Sequence, residues 1–210
     1  MSTSTTQADS MFATPASEQQ IDAAAKALEA NNMNVHVVDT VAAARSLLGD
    51  LLPAEAEIFT ASSETLRISG IADDINESGR FRSLRATRLA GLDPMSADAR
   101  RLGASPDVIV GSVHAVTSDG QIVAASASGS QLSAYAAGAS QVFLVVGAQK
   151  IVPDLATAFR RVETYSLPLE SQRLMQVYGQ PSLIGKVLVI RQEAFPGRTT
   201  VVVSREPIGF

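Results

Sequence analysis

Three polar segments each follow an apolar, strand-like run and precede a helical one. They are residues 60–66 (TASSETL), residues 126–131 (SASGSQ) and residues 146–150 (VGAQK). Hydroxyls and free backbone amides at such positions suit a phosphate or a carboxylate. Because open parallel sheets bind ligands at the carboxyl ends of their strands, we expect the segments to share one cleft. Its predicted ligand-binding residues are Ser62, Ser63, Thr65, Gly129, Ser130 and Lys150.

Each segment also has a simpler interpretation. Ser62 or Ser63 could only cap a helix, which is the commonest use of serine at such a position. Residues 126–131 could form a small-residue turn with its own cap. Lys150 could neutralise an anion, act as a base if desolvated, or remain a solvated amine. The titratable candidates for catalysis are Glu64, Asp119 and Lys150.

The composition excludes several kinds of site. The 210 residues include no cysteine and only two histidines, His36 and His114, so zinc fingers, iron–sulfur clusters, disulfides and thiol nucleophiles are not expected. We therefore predict no metal site and no cofactor. His114 lies near Ser112 and Asp119, but a catalytic triad needs distant segments, and no Gly-x-Ser-x-Gly motif occurs. The P-loop and classical dinucleotide motifs are also missing.

Charge and hydropathy disfavour nucleic acid and membrane lipid as binding partners. With 17 basic against 21 acidic residues, 5% aromatics and no tryptophan, nucleic-acid binding is disfavoured. The amino end lacks a signal-peptide pattern, and no window reaches 18 uninterrupted apolar residues, which predicts a cytoplasmic chain without a membrane span. Arg80, Arg82, Arg85 and Arg88 would ordinarily form a solvated face, but they could frame an acidic substrate.

The pattern of elements predicts an α/β fold. Residues 1–16 lack apolar periodicity and are expected to form a flexible tail, with one domain over residues 17–210. Ser17 with Gln20 fits a capping box, and Asp93-Pro94 fits the start of a helix closed by Gly103. Unalternating Val/Ile runs predict a largely parallel sheet covered by helices on both faces. Ser118-Asp119-Gly120 predicts an antiparallel hairpin inside it. The predicted strands cover residues 34–39, 57–60, 107–117, 121–126, 141–146, 186–191 and 199–204.

Several stretches together resemble the LUD-domain (lactate-utilisation) family. Residues 107–152 contain AVTSDG and VVGAQKIV, similar to the family's Ala-(Ile/Val)-Thr-x-Asp-Gly and Val-Val-Gly-x-x-Lys-Ile-Val motifs. ASSETLRISGI looks like its Ser-x-Thr-Leu-x-x-x-Gly-Ile segment, and GRTTVVVSREPIGF like its carboxyl-terminal strand and Gly-aromatic end. The matching positions are Ser63, Thr65, Leu66, Gly70, Asp107, Ser112, Thr117, Asp119, Gly120, Gly129, Gly147 and Lys150.

The resemblance implies a sugar-phosphate isomerase/CoA-transferase-like fold and a part in bacterial oxidation of lactate to pyruvate. The ligand-binding candidates also include Ser112 and Gly147, which match the family, and His114, which does not. The chain also departs from its relatives, which often carry an asparagine at His114 and a cysteine-rich segment before the last strands. They often have other polar residues where this chain has Ile68, Ser126, Ser128, Ser130 and Gln131.

Three functional hypotheses follow. The first is a protein that binds a small anionic metabolite and supports organic-acid oxidation, with redox centres supplied by iron–sulfur partner proteins. The second is a stand-alone isomerase or acyl/CoA-transfer enzyme, which needs a titratable group with a shifted pKa in a closed pocket. The third is a non-catalytic metabolite-binding regulator. A homo-oligomer is expected.

Overall fold

The computed structural model describes residues 7–94 and 96–210. Within them, two short 3₁₀-helices, Ser10–Ala13 and Ala148–Lys150, and two π-helical turns, Ala134–Gly138 and Val162–Ser166, accompany the regular elements. The helices are α1 (Glu18–Ala30), α2 (Val41–Leu51), α3 (Glu64–Ile68), α4 (Ile71–Asn76), α5 (Ala97–Ala104), α6 (Leu155–Arg161) and α7 (Leu167–Tyr178). The strands are β1 (Asn34–Val38), β2 (Glu57–Thr60), β3 (Arg82–Ser83), β4 (Val108–Gly111), β5 (Ala115–Thr117), β6 (Ile122–Ser126), β7 (Gln141–Gly147), β8 (Ile151–Val152), β9 (Lys186–Ile190) and β10 (Thr199–Ser204).

The central sheet has six parallel strands in the order β1-β10-β7-β4-β2-β3. One face, which includes Ile58 and Val110, packs on α2, α3 and α4. The other face, which includes Ile109 and Leu144, packs on α1 and on a second sheet. Burial on both faces explains the nearly continuous apolar runs of β4, β7 and β10, and the sheet with its flanking helices confirms the predicted α/β class.

The second sheet has the strand order β8-β5-β6-β9 and mixes parallel and antiparallel pairs. The predicted hairpin exists as β5–β6, but it lies in this sheet and not inside the central one. Residues 107–117 therefore form two strands instead of one. The chain leaves the central sheet after Gly111, where the Tyr135 hydroxyl occupies the space that a β-carbon would need.

One predicted helix start matches the structure and another differs. Ser17 and Gln20 form the predicted capping box of α1. The helix predicted from Asp93-Pro94 instead begins after Ser96, whose hydroxyl accepts the N–H of the third helical residue. A serine acceptor in the right geometry thus outweighs the preference of proline for the first turn.

The amino-terminal segment differs from the expectation of a flexible tail over residues 1–16. Phe12 is 5% exposed and packs with Ala115 and Val123 on the outer face of the second sheet. The Asp9 N–H donates to the carbonyl of Thr164, and the Asp9 carboxylate pairs with Arg160 at 2.9 Å. A single aromatic ring anchors this segment, which is why apolar periodicity does not reveal it. Residues 1–6 lie outside the described part of the chain.

None of the helices formed by residues 7–94 and 96–210 is long and apolar enough to cross a membrane.

Candidate functional site

A cavity of about 540 Å³ opens at the carboxyl ends of β2, β4 and β7. The residues that follow these strands contribute Ser62 and Ser63, Ser112 and His114, and Lys150, respectively. The end of β6 and residues of α7 also line the cavity. The parallel order of the three strands brings these distant segments to one edge of the sheet, as the sequence pattern predicts.

Lys150 lies at the buried base of this cavity. It is 1% exposed, and its Nζ donates hydrogen bonds to Thr65 Oγ1 at 2.9 Å and to Ser112 Oγ at 3.0 Å. Both hydroxyls in turn donate to backbone carbonyls, that of Thr65 to Ile208 at 3.4 Å and that of Ser112 to Val145 at 2.7 Å. Each hydroxyl proton is therefore committed, so both oxygens act as acceptors toward Lys150.

The environment of Lys150 disfavours its charged form. Burial lowers the pKa of its amine well below the usual value, and the nearby charge of Arg161 lowers it further. Among the described residues, no carboxylate lies within ion-pair distance of its Nζ. The burial of Lys150 argues against a solvated amine, while its use as a base or as an anion partner stays a prediction.

His114 is held as a neutral imidazole. Its Nδ1 accepts the backbone N–H of Ala125 at 3.0 Å, so in the neutral ring the proton sits on Nε2. Burial lowers the pKa of His114 to about 3, and the positive charge of the nearby Arg161 acts in the same direction. His114 therefore offers the cavity a neutral N–H donor at physiological pH.

Arg161 holds together the segments that carry His114 and Lys150. It is fully buried, and its guanidinium donates to the carbonyl of His114 at 2.5 Å, to that of Gln149 at 3.3 Å and to Ser166 Oγ at 3.1 Å. Its Nη2 has no partner among the described residues. Burial lowers the pKa of Arg161 to about 10, which leaves it charged at neutral pH. Arg161 thus fixes the loops that carry His114 and Lys150 and adds positive potential beneath them.

Arg85 supplies a positive charge at the cavity wall. Its Nε donates to the carbonyl of Thr60 at 2.6 Å, its Nη2 donates to Ser62 Oγ at 3.3 Å, and its guanidinium lies 4.9 Å from the centre of the Phe59 ring. No carboxylate within residues 7–94 or 96–210 forms an ion pair with it. Of the arginine run, only Arg85 lines the cavity within the described residues, as the acidic-substrate interpretation requires.

Glu64 also lines the cavity, but it is held as a charged group. Its carboxylate accepts hydrogen bonds from Arg67 and lies 3.6 Å from Arg173, which itself pairs with Glu170 at 2.6 Å. The hydrogen bond from Arg67 and the positive charges hold the pKa of Glu64 below its usual value. Glu64 therefore orders two arginines and is poorly suited to donate a proton.

The remaining candidates divide into two groups. Ser130 lines the cavity, and Ser63 both lines it and caps α3, so capping and access to the cavity coexist there. Asp119 lies at the opposite end of the β5–β6 hairpin, where its carboxylate accepts from Thr117 and Gln121. Gly129 and Gly147 do not line the cavity.

Sequence reasoning missed the contribution of α7 and the carboxyl terminus. Arg173 and Tyr178 of α7 line the cavity, as does Phe210. Nothing in the sequence of α7 or of the carboxyl terminus indicates which end of the sheet they cover. In the described part of the chain, no group of three or more His, Cys, Asp or Glu side chains is arranged to hold a metal ion.

The parallel central sheet, flanked by helices and a second sheet, defines an α/β protein with a polar, arginine-lined cavity at the carboxyl ends of its strands. The LUD domain model matches residues 21–203, and the chain belongs to this family. The fold is similar to that of a DUF162 family protein from Deinococcus radiodurans, known from a crystal structure. The TM-score is 0.55 at 13% identity, over 90% of this chain and 99% of the other. No curated protein matches the chain.

Proposed function

We propose that this LUD-domain protein binds a small carboxylate metabolite in the cavity and thereby supports the use of lactate or a related organic acid. The observation that carries the proposal is Arg85, a partly buried guanidinium that lines the cavity without a carboxylate partner in the described chain. Guanidinium groups pair with carboxylates through two parallel hydrogen bonds, which gives both affinity and orientation.

The balance of charge supports an anionic ligand. Three arginines line the cavity, Arg67, Arg85 and Arg173, against two glutamates, Glu64 and Glu170. Because the glutamates pair with Arg67 and Arg173, the positive charge of Arg85 is left for the ligand. The serine hydroxyls beside it provide further donors for carboxylate or phosphate oxygens.

Within this proposal, electron transfer belongs to iron–sulfur partner proteins, since this chain has no cysteine to hold a cluster. The isomerase or acyl-transfer hypothesis needs a carboxylate or lysine with a shifted pKa in the pocket. Of its three candidates only Lys150 supports it, because the pKa of Glu64 is lowered by its arginine partners and Asp119 lies at the far end of the hairpin.

A thermal-shift comparison tests the proposal. Lactate, pyruvate and inorganic phosphate are compared with lactamide, which has the shape of lactate without its charge. The carboxylates are expected to stabilise the protein by about 2.7 kcal/mol at 100 times their dissociation constants, while lactamide at equal concentration has little effect. Stabilisation by phosphate alone would assign a phosphate ligand. Equal stabilisation by lactate and lactamide would contradict an anion site.

A further inference from the structure

The hydrogen-bond geometry of Lys150 matches a neutral amine. A neutral amine has two N–H donors and one lone pair, and the two acceptors described for Nζ are Thr65 Oγ1 and Ser112 Oγ. An ammonium group would carry a third N–H, for which the described residues offer no acceptor. With both N–H bonds committed, the lone pair remains available, and Lys150 lines the cavity.

His114 complements this amine in the same cavity. Its Nδ1 is occupied by the Ala125 N–H, and its Nε2 has no hydrogen-bond partner in the described part of the chain. The Nε2–H of a neutral imidazole can donate to a carbonyl oxygen and polarise the bond, which is a recognised role for a histidine with a lowered pKa. Lys150 thus offers an electron pair, and His114 offers a hydrogen-bond donor.

We infer that Lys150 forms an imine with the carbonyl carbon of a 2-oxo acid bound in the cavity. The Nζ lone pair attacks that carbon, a C–N bond forms, and the carbonyl oxygen accepts a hydrogen bond from His114 Nε2 as charge develops on it. Two protons from the nitrogen leave with that oxygen as one molecule of water, and a C=N bond remains. The step needs no oxidant or reductant.

The inference names the substrate class of the proposed site and therefore rests on the proposed function. A 2-oxo acid carries both a carboxylate, for which the cavity offers Arg85, and a carbonyl, for which it offers Lys150 and His114. The lowered pKa of Lys150 agrees with this role, since only the unprotonated amine is a nucleophile.

Borohydride trapping tests the inference on the full chain at neutral pH. The protein is incubated with pyruvate, reduced with sodium borohydride, digested and analysed by mass spectrometry. We expect one adduct, with the mass of pyruvic acid less one oxygen atom, on the peptide that contains Lys150. The other two lysines, Lys26 and Lys186, are exposed and serve as internal controls. Neither amine lines the cavity, so both should remain unlabelled.

Three variants test whether the adduct depends on Lys150 and His114. Lys150→Met should abolish the adduct, while the matched Lys186→Met should retain it. His114→Phe removes the Nε2 donor at similar ring size and should slow trapping at least tenfold. Melting curves of each variant establish that it is folded.

Lactate, which lacks the carbonyl group, separates this inference from the proposed function. If pyruvate and lactate stabilise the protein equally and no adduct forms, the imine is ruled out while anion binding stands. If neither stabilises the protein and no adduct forms, both proposals fail. Labelling spread evenly over the three lysines would also overturn the inference.

Discussion

Lowering the pH from 7.5 to 4.5 is expected to reduce the free energy of unfolding by about 2.5 kcal/mol through His114 alone. Burial holds the pKa of this imidazole at about 3 in the folded protein, against 6.5 when it is unperturbed. In this pH range the unfolded chain binds a proton at His114 and the folded chain does not. Protons therefore favour unfolding, and the loss grows as the pH falls below 6.5.

Urea unfolding of the wild type and of His114→Asn at both pH values checks this expectation. Asparagine does not titrate, and its side-chain oxygen can accept the Ala125 N–H bond in place of Nδ1. The variant should lose about 2.5 kcal/mol less than the wild type on acidification. His36→Asn, at the other histidine of the chain, is the substitution control. An identical loss in wild type and His114→Asn would show that His114 is not held neutral.

Gly120→Ala is expected to destabilise the protein by about 3 kcal/mol. Gly120 has a φ of 78°, and a β-carbon there would lie 2.6 Å from the carbonyl carbon of Ala27 and 2.7 Å from the nitrogen of Leu28. Both atoms belong to the backbone of α1, so the hairpin would have to move away from that helix. Such a shift would also strain the bonds from Asn31 Nδ2 to the carbonyls of Asp119 and Gly120.

Gly179→Ala is the matched control for this prediction. Gly179 has a similar φ of 69°, but nothing lies within 4 Å of its would-be β-carbon. Gly179→Ala should lower the free energy of unfolding only by the backbone strain, about 1 kcal/mol. Urea unfolding at pH 7.5 compares the two variants. Equal losses would mean that the hairpin does not press on α1.

The sequence predicts most of the fold because the dominant signals are local. The Val/Ile runs of β4, β7 and β10 locate the central strands, and Asp119-Gly120 locates the hairpin turn. The division of residues 107–117 between two sheets could not be predicted, because it depends on pairing with strands elsewhere in the chain, β7 for β4 and β8 for β5. The buried position of Phe12 is likewise set by distant partners, among them Ala115 and Val123.

The sequence likewise predicts part of the candidate site, and the rest depends on tertiary contacts. The polar segments after β2, β4 and β7 are visible as sequence, and the topology of a parallel sheet predicts that they meet. The state of Lys150 is not visible, because it follows from complete burial and from hydroxyls 38 and 85 residues away in the chain. The part played by Arg173 depends on how α7 folds back over the cavity.

Calorimetric titration of lactate and pyruvate into the wild type and Arg85→Met most directly tests the claim that the cavity binds a small carboxylate. Arg100→Met is the control, since Arg100 is exposed and lies outside the cavity. We expect Arg85→Met to weaken binding at least tenfold, or about 1.4 kcal/mol, with Arg100→Met close to the wild type. Equal affinity in all three proteins, or no binding to the wild type at millimolar concentration, would contradict the claim.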